Sequence, residues 1–187
     1  QMTTIVIDGN ESSEFQYGRL ESYLDKVLNN FPHLETTRYK DRIFRSVQSR
    51  KEIKASQITS MLIDNAHDEI SEHAPDWTYV AAQFYLIQLN KDIAERREIP
   101  TEGKYAEFVQ QMVERGLYNP KLIEKYSMEE LHEIGQLINY DHDKVFTYLG
   151  IITLSKRYIT LDHDKNPLET PQERWLTIAL HLMQDED

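Results

Sequence analysis

The chain has 187 residues, 32 acidic against 21 basic side chains, and a formal net charge of -11. Its length suits one compact domain, or one small domain plus part of another. The acid excess gives no general attraction to nucleic acid or to an anionic membrane. The absence of cysteine removes disulfides, thiolate zinc sites and cysteine nucleophiles from this sequence.

The opening has no basic start ahead of an apolar core, so it does not read as a signal peptide. Gln1 ahead of Met2 reads as a tag remnant. Thr3 to Phe15 reads as a β-hairpin. Ile5, Val6 and Ile7 favour a strand, Asp8-Gly9 favours a turn, and a return strand is expected near Glu14 and Phe15. Two strands are marginal alone, so other elements must cover them.

Four helices follow. The first spans about Arg19 to Asn29, with Leu20, Tyr23, Leu24, Val27 and Leu28 on one face. The second spans Thr37 to Val47. The third starts near Ser56, whose hydroxyl is placed to cap it. The fourth has Pro75 in its first turn and a broad apolar surface from Trp77 to Leu89. A hairpin over a small helical bundle, ending near Arg97, is the expected first domain (3–97).

Residues 98–103 read as a boundary. Short helices are expected over Lys104–Arg115, Pro120–Lys125 and Met128–Ile138. Gly116 stops the first, and Ser127 with Glu130 caps the third. Another helical or buried segment spans Val145–Tyr158, and residues 159–168 are extended chain and turn. A last helix opens at Thr170-Pro171, with Trp175, Ile178, Ala179 and Leu182 expected to face inward. The chain stops soon after this apolar helix, which reads as a cut end as much as a natural terminus. Residues 98–187 form the expected second, helical region. The fold class is mainly α.

Three groups could carry chemistry. From Arg38 to Lys54 there are seven basic residues, opposed only by Asp41 and Glu52. Such an island can be a solvated helix face, a contact for an acidic partner or an anion site. Asp141-His142-Asp143 and Asp162-His163-Asp164 hold metal-ligand side chains. Neighbouring residues point in different directions, so hydrogen-bonded turns are the plainer reading and no metal site is assigned. His67 and His73, six apart, lie on different sides of a helix and read as buried or capping residues.

Several blocks together resemble the N-terminal part of the ribonucleotide reductase large subunit. Ile53-Lys54-Ala55-Ser56-Gln57-Ile58, followed by Ala74-Pro75-Asp76-Trp77 and Val80-Ala81-Ala82, is similar to the third and fourth helices of that family's ATP-cone. Tyr105 to Tyr118, running on to Pro120, resembles the linker that follows. Leu149 to Tyr158 resembles the lead-in to the catalytic region. Glu169-Thr170-Pro171-Gln172-Glu173 with Trp175 and Ala179 resembles the next block.

The resemblance implies an enzyme that reduces ribonucleotides, in diphosphate form, to deoxyribonucleotides by thiyl-radical chemistry. It implies a large-subunit homodimer and a radical-generating, metal-containing small subunit, and the absence of cysteine fits a cytoplasmic location. The chemistry requires cysteines, so this chain reads as a non-catalytic fragment attached to the remainder of the large subunit. No cofactor is expected in the fragment, apart from ATP or dATP as an effector.

The cone departs from the family at its nucleotide site. Aligned on Asp8-Gly9, two phosphate-binding cations of the family are replaced by Val6 and Ile7. Thr59 stands in place of a nucleotide-contacting histidine, and Ala55 in place of a threonine. Arg19, Lys54 and Lys91 stay basic near positions the family uses and form the remnant site. Impaired ATP/dATP sensing is the expectation. The alternatives are a functional cone and a stand-alone helical interaction module.

Overall fold

A computed structural model describes residues 3–183. The readings of Gln1-Met2 and of the chain end lie outside those residues. The chain gathers into two compact units, one holding residues up to Leu86 with Phe146–Leu149, the other Ile87–Val145 with the residues from Gly150 onward.

The first unit begins with β1 (Ile5–Asp8) and β2 (Glu11–Glu14), an antiparallel hairpin with Ile5 opposite Glu14 and Asp8 opposite Glu11. Gly9, at φ +61, supplies the left-handed backbone of the turn. The third strand was not anticipated. Residues Glu52–Lys54 form β3, parallel to β1, in a sheet of order β2-β1-β3.

Thr4 locks this arrangement. Its buried hydroxyl donates to Arg50 O at 2.7 Å, Phe15 N–H donates to Thr4 O at 2.8 Å, and Ile5 N–H donates to Lys51 O at 2.9 Å. Thr4→Val keeps the shape but strands the Arg50 carbonyl. It is expected to lower stability by about 1–2 kcal/mol in urea melts.

α1 (Tyr17–Leu28) buries Leu20, Leu24, Val27 and Leu28, an i, i+4, i+7, i+8 stripe. α2 (Thr37–Gln48) buries Tyr39, Ile43, Phe44 and Val47 on the same period. Tyr39 donates to Leu62 O at 2.7 Å, which satisfies its buried hydroxyl. α3 (Ala55–Asp68) starts one residue before the expected cap. Ser56 lies inside it, and Gln57 Oε1 accepts the Lys54 N–H at 2.9 Å. α4 (Trp77–Arg97) sends Trp77, Val80, Ala81 and Phe84 into this core. Tyr148, from the returning segment, lies against His67 and Tyr85, with ring centroids at 5.2 and 6.2 Å. His67 and His73 are exposed rather than buried.

The second unit contains the end of α4, then α5 (Tyr105–Glu114), α6 (Lys121–Lys125) and α7 (Met128–Gly135). Gly116, at φ +74, ends α5, with Leu117 N–H bonded to Met112 O and Gly116 N–H to Val113 O, both at 2.9 Å. The expected Ser127–Glu130 capping box is formed, at 3.1 and 2.8 Å. Tyr140–Val145 is a 3-10 turn. α8 (Tyr148–Arg157) begins three residues later than expected, and α9 (Pro171–Met183) closes the described chain.

The core of this unit is built from residues such as Tyr105, Phe108, Met112, Leu131, Leu168 and Leu180. The expected inward face of α9 is corrected. Trp175, Ile178, Ala179 and Leu182 are exposed, while Glu173, Thr177 and Leu180 are buried. The reason is polar: Arg97 and two tyrosines wait on the inner side, and only the Glu173–Thr177 face can satisfy them. No helix among the described residues is long and apolar enough to cross a membrane.

Candidate functional site

The sheet of the first unit positions the residues of interest. Side chains alternate along a strand, and paired residues share a face. Val6 and its β3 partner Ile53 turn to the core, where Ile53 is fully buried. Ile5 and Ile7 share the opposite face. Across that face run two rows, Glu14–Ile5–Glu52 and Ser12–Ile7–Lys54. The outer face therefore carries one cation, Lys54, and two carboxylates, Glu14 and Glu52.

Arg19 lies on α1. With Gln16, Gly18, Ser22, Tyr23 and Lys26 it lines an open depression of about 580 Å³ that does not include Lys54. Lys91 is on α4, five residues beyond Leu86, and belongs to the second unit. Lys54 and Arg19 are both exposed. Thr59 is half-buried on α3.

Part of the basic island is neutralised. Lys40 Nζ meets Asp25 Oδ1 at 2.7 Å. Glu69, at the end of α3, takes Arg42 at 3.2 Å and Arg38 at 3.7 Å.

In the second unit Arg97 is a buried hub. Its five N–H groups meet five acceptors: Ile99 O at 2.9 Å, Pro100 O at 3.0 Å, Leu168 O at 3.1 Å, and both oxygens of Glu173 at 2.7 and 2.8 Å. The guanidinium lies over the Phe108 ring, 4.1 Å from its centre. Thr170 and Glu173 form a capping box at the start of α9, with Thr170 N–H on Glu173 Oε1 at 2.8 Å and Glu173 N–H on Thr170 Oγ1 at 3.3 Å.

Beside this hub, Glu169 is fully buried. It accepts Thr160 N–H at 2.7 Å and the Tyr118 hydroxyl, and Arg174 Nε lies 3.5 Å away. Burial pushes its carboxyl above the usual range, against the pull of those donors. Tyr105 donates or accepts a bond with Thr177 Oγ1 at 2.8 Å, and burial raises its hydroxyl too.

The two acid–histidine triplets are turns. Asp162 Oδ1 accepts the N–H groups of Asp164 and Asn166, both at 2.9 Å. Asp143 alone turns inward and accepts Gln172 Nε2 at 2.8 Å, leaving its Oδ2 buried with no hydrogen-bond partner among the described residues. No group of side chains able to hold a metal ion occurs among the described residues.

Burial pushes the Asp143 carboxyl up to about 6, opposed by the Gln172 bond and His142. A carboxyl with a raised folded-state value binds its proton more tightly when folded. It favours the fold at low pH, and that contribution is lost as pH rises from about 4 to about 6. Asp143→Asn is expected to raise stability by about 1–2 kcal/mol at neutral pH and to leave it unchanged at pH ~4, allowing for partial screening. Thermal melts across that range check it.

A family model described as "Ribonucleotide reductase, all-alpha domain" matches residues 144–187. The ribonucleoside-diphosphate reductase subunit alpha of phage T4 is 31% identical over 147 residues, 77% of this chain and 19% of the relative. That of Synechocystis is 38% identical over 133 residues, 71% of this chain and 16% of the relative. That of Helicobacter pylori strain 26695 is 26% identical over 185 residues, 99% of this chain and 22% of the relative.

The chain is homologous to the ribonucleotide reductase alpha-subunit family. It spans about a fifth of the length of these relatives. Without cysteine it carries no thiyl chemistry of its own. The reductase all-alpha match contains Asp143's partner Gln172, both buried glutamates and the whole of α9.

Sequence reasoning missed the Arg97–Glu173 pair. One signal was present: Thr170-Pro171-Gln172-Glu173 has the capping-box spacing, with proline at the first helical position. Nothing in the sequence marks Arg97 as its partner, 76 residues away. It also missed Glu14 and Glu52, whose place on the outer face depends on strand register.

Proposed function

We propose that the chain is the N-terminal part of a ribonucleoside-diphosphate reductase alpha subunit. Residues 3–97 are an ATP-cone-like domain, and residues 98–187 are the helical start of the catalytic region. In this reading the whole enzyme makes deoxyribonucleotides in the cytoplasm. It works as an alpha homodimer with a radical-generating small subunit, and the remainder of the alpha chain supplies the cysteines.

The cone is impaired in sensing ATP and dATP. The observation that carries this is the β1 sequence Val6-Ile7, set on a sheet whose outer face bears Glu14 and Glu52 around Ile5. A triphosphate requires charge-assisted donors, which apolar side chains lack, and fixed carboxylates nearby repel it. Arg19 and Lys54 are the remnant cations of the first unit, and Lys91 is a third on α4.

Calorimetric titration of the 187-residue chain with ATP and with dATP tests the reading. Affinity no tighter than millimolar is expected for both. Micromolar binding that Lys54→Ala or Arg19→Ala removes establishes the functional cone instead.

A further inference from the structure

The arginines of α2 are not used by the sheet. Arg38, Arg42 and Arg45 recur at intervals of four and three, so they share one face of the helix. With Glu35, Thr37 and Asp41 they line an open depression of about 510 Å³. Neither Arg19 nor Lys54 lines it.

The local carboxylates are stretched thin. Glu69 Oε1 serves two guanidinium groups, at 3.2 Å from Arg42 and 3.7 Å from Arg38. Glu35 is committed to the helix start, where its Oε1 accepts Thr37 N–H at 2.9 Å, and this bond lowers its carboxyl pKa. Asp41 makes no ion pair with these arginines, and Arg45 makes none with any described residue. Lys40 is withdrawn from the group by its contact with Asp25 at 2.7 Å.

Glu69 thus acts as an internal anion held loosely between two forks. An external ligand with several negative oxygens can replace it on Arg38 and Arg42 and also engage Arg45. Guanidinium forks match phosphate oxygens in geometry, and a chain of phosphates can span more than one fork. The lone carboxylate of Glu69 meets Arg42 and Arg38 through one oxygen and makes no ion pair with Arg45.

We infer that the Arg38–Arg42–Arg45 face of α2 binds a polyphosphate anion, with Glu69 as the built-in competitor that the ligand displaces. The anion is either free inorganic polyphosphate or the phosphate tail of a nucleotide. The inference goes beyond the cone reading, because it uses none of the cations assigned to the remnant site.

The test is calorimetric titration of the whole 187-residue chain at low ionic strength with sodium tripolyphosphate and, separately, with ATP. Tripolyphosphate is expected to bind at one site and to weaken as salt is added. Arg45→Ala is expected to weaken it about tenfold, the loss of one charge-assisted contact. Glu69→Gln is expected to tighten it several-fold, because it frees two guanidinium groups without removing a cation. Lys54→Ala is expected to leave it unchanged.

Equal affinity for ATP and tripolyphosphate assigns the site to the phosphate tail, and tripolyphosphate binding without ATP binding assigns it to free polyphosphate. The inference is overturned if neither the parent chain nor Glu69→Gln binds tripolyphosphate. It is also overturned if binding survives Arg45→Ala and is lost in Lys54→Ala, which puts the anion at the sheet. Circular dichroism melts confirm that each variant folds. Arg45 and Lys54 are exposed, where single substitutions disturb folding little, and Glu69→Gln keeps the size and shape of a partly buried side chain.

Discussion

Arg97→Ala is expected to destabilise the second unit by about 3–5 kcal/mol, the largest loss for any single substitution considered. Arg97 and Glu173 are both almost wholly buried, at 1% exposure each. Removing the guanidinium leaves the Glu173 carboxylate without its counter-ion in a site water does not reach. It also strips hydrogen bonds from the carbonyls of Ile99, Pro100 and Leu168 and removes the cation from the Phe108 face. Arg97→Lys is expected to recover little, because an ammonium has three donors and no planar fork.

The double variant Arg97→Met with Glu173→Leu should lose less than either single variant, because no buried charge is left unpaired. Urea melts of the four proteins give the coupling energy directly. A loss below about 1 kcal/mol for Arg97→Ala would show that the pair is solvated, and the account of α9 would fail with it.

That pair also explains where the sequence was legible and where it was not. The stripes of α1 and α2 were readable because apolar side chains repeat at helical spacing and nothing polar competes for the inner side. On α9 the same rule gave the wrong face. Trp175, Ile178 and Leu182 are the oilier set, yet Glu173 and Thr177 point inward, since Arg97, Tyr105 and Tyr118 need partners there. Periodicity records what each helix could bury and says nothing about which polar groups wait opposite.

β3 was illegible for another reason. Glu52-Ile53-Lys54 is three residues with one buried side chain, too short to show alternation. Its strand character comes from β1, not from itself. The apolar character of Val6 and Ile7 was legible directly in the sequence. The flanking carboxylates were not, because Glu14 and Glu52 become neighbours of Ile5 only through pairing across the sheet.

Ile7→Arg is expected to raise ATP affinity by about 10–100-fold, the worth of one charge-assisted phosphate contact of about 1.5–3 kcal/mol. Position 7 is the better of the two to change. Val6 packs against the core, so a charge there would meet a desolvation cost, whereas Ile7 is half-buried on the outer face beside Ser12 and Lys54. A guanidinium at position 7 and the Lys54 ammonium would then share one row of the sheet. Glu14 and Glu52 stay one row away, roughly 7 Å along the strands, inside the screening length at ordinary salt. Adding Glu14→Gln and Glu52→Gln should therefore increase the gain further. Ile7→Gln, polar but uncharged, is the control and should give little. If Ile7→Arg folds and its ATP titration matches that of the parent chain, the proposed charge deficit at β1 fails as the explanation.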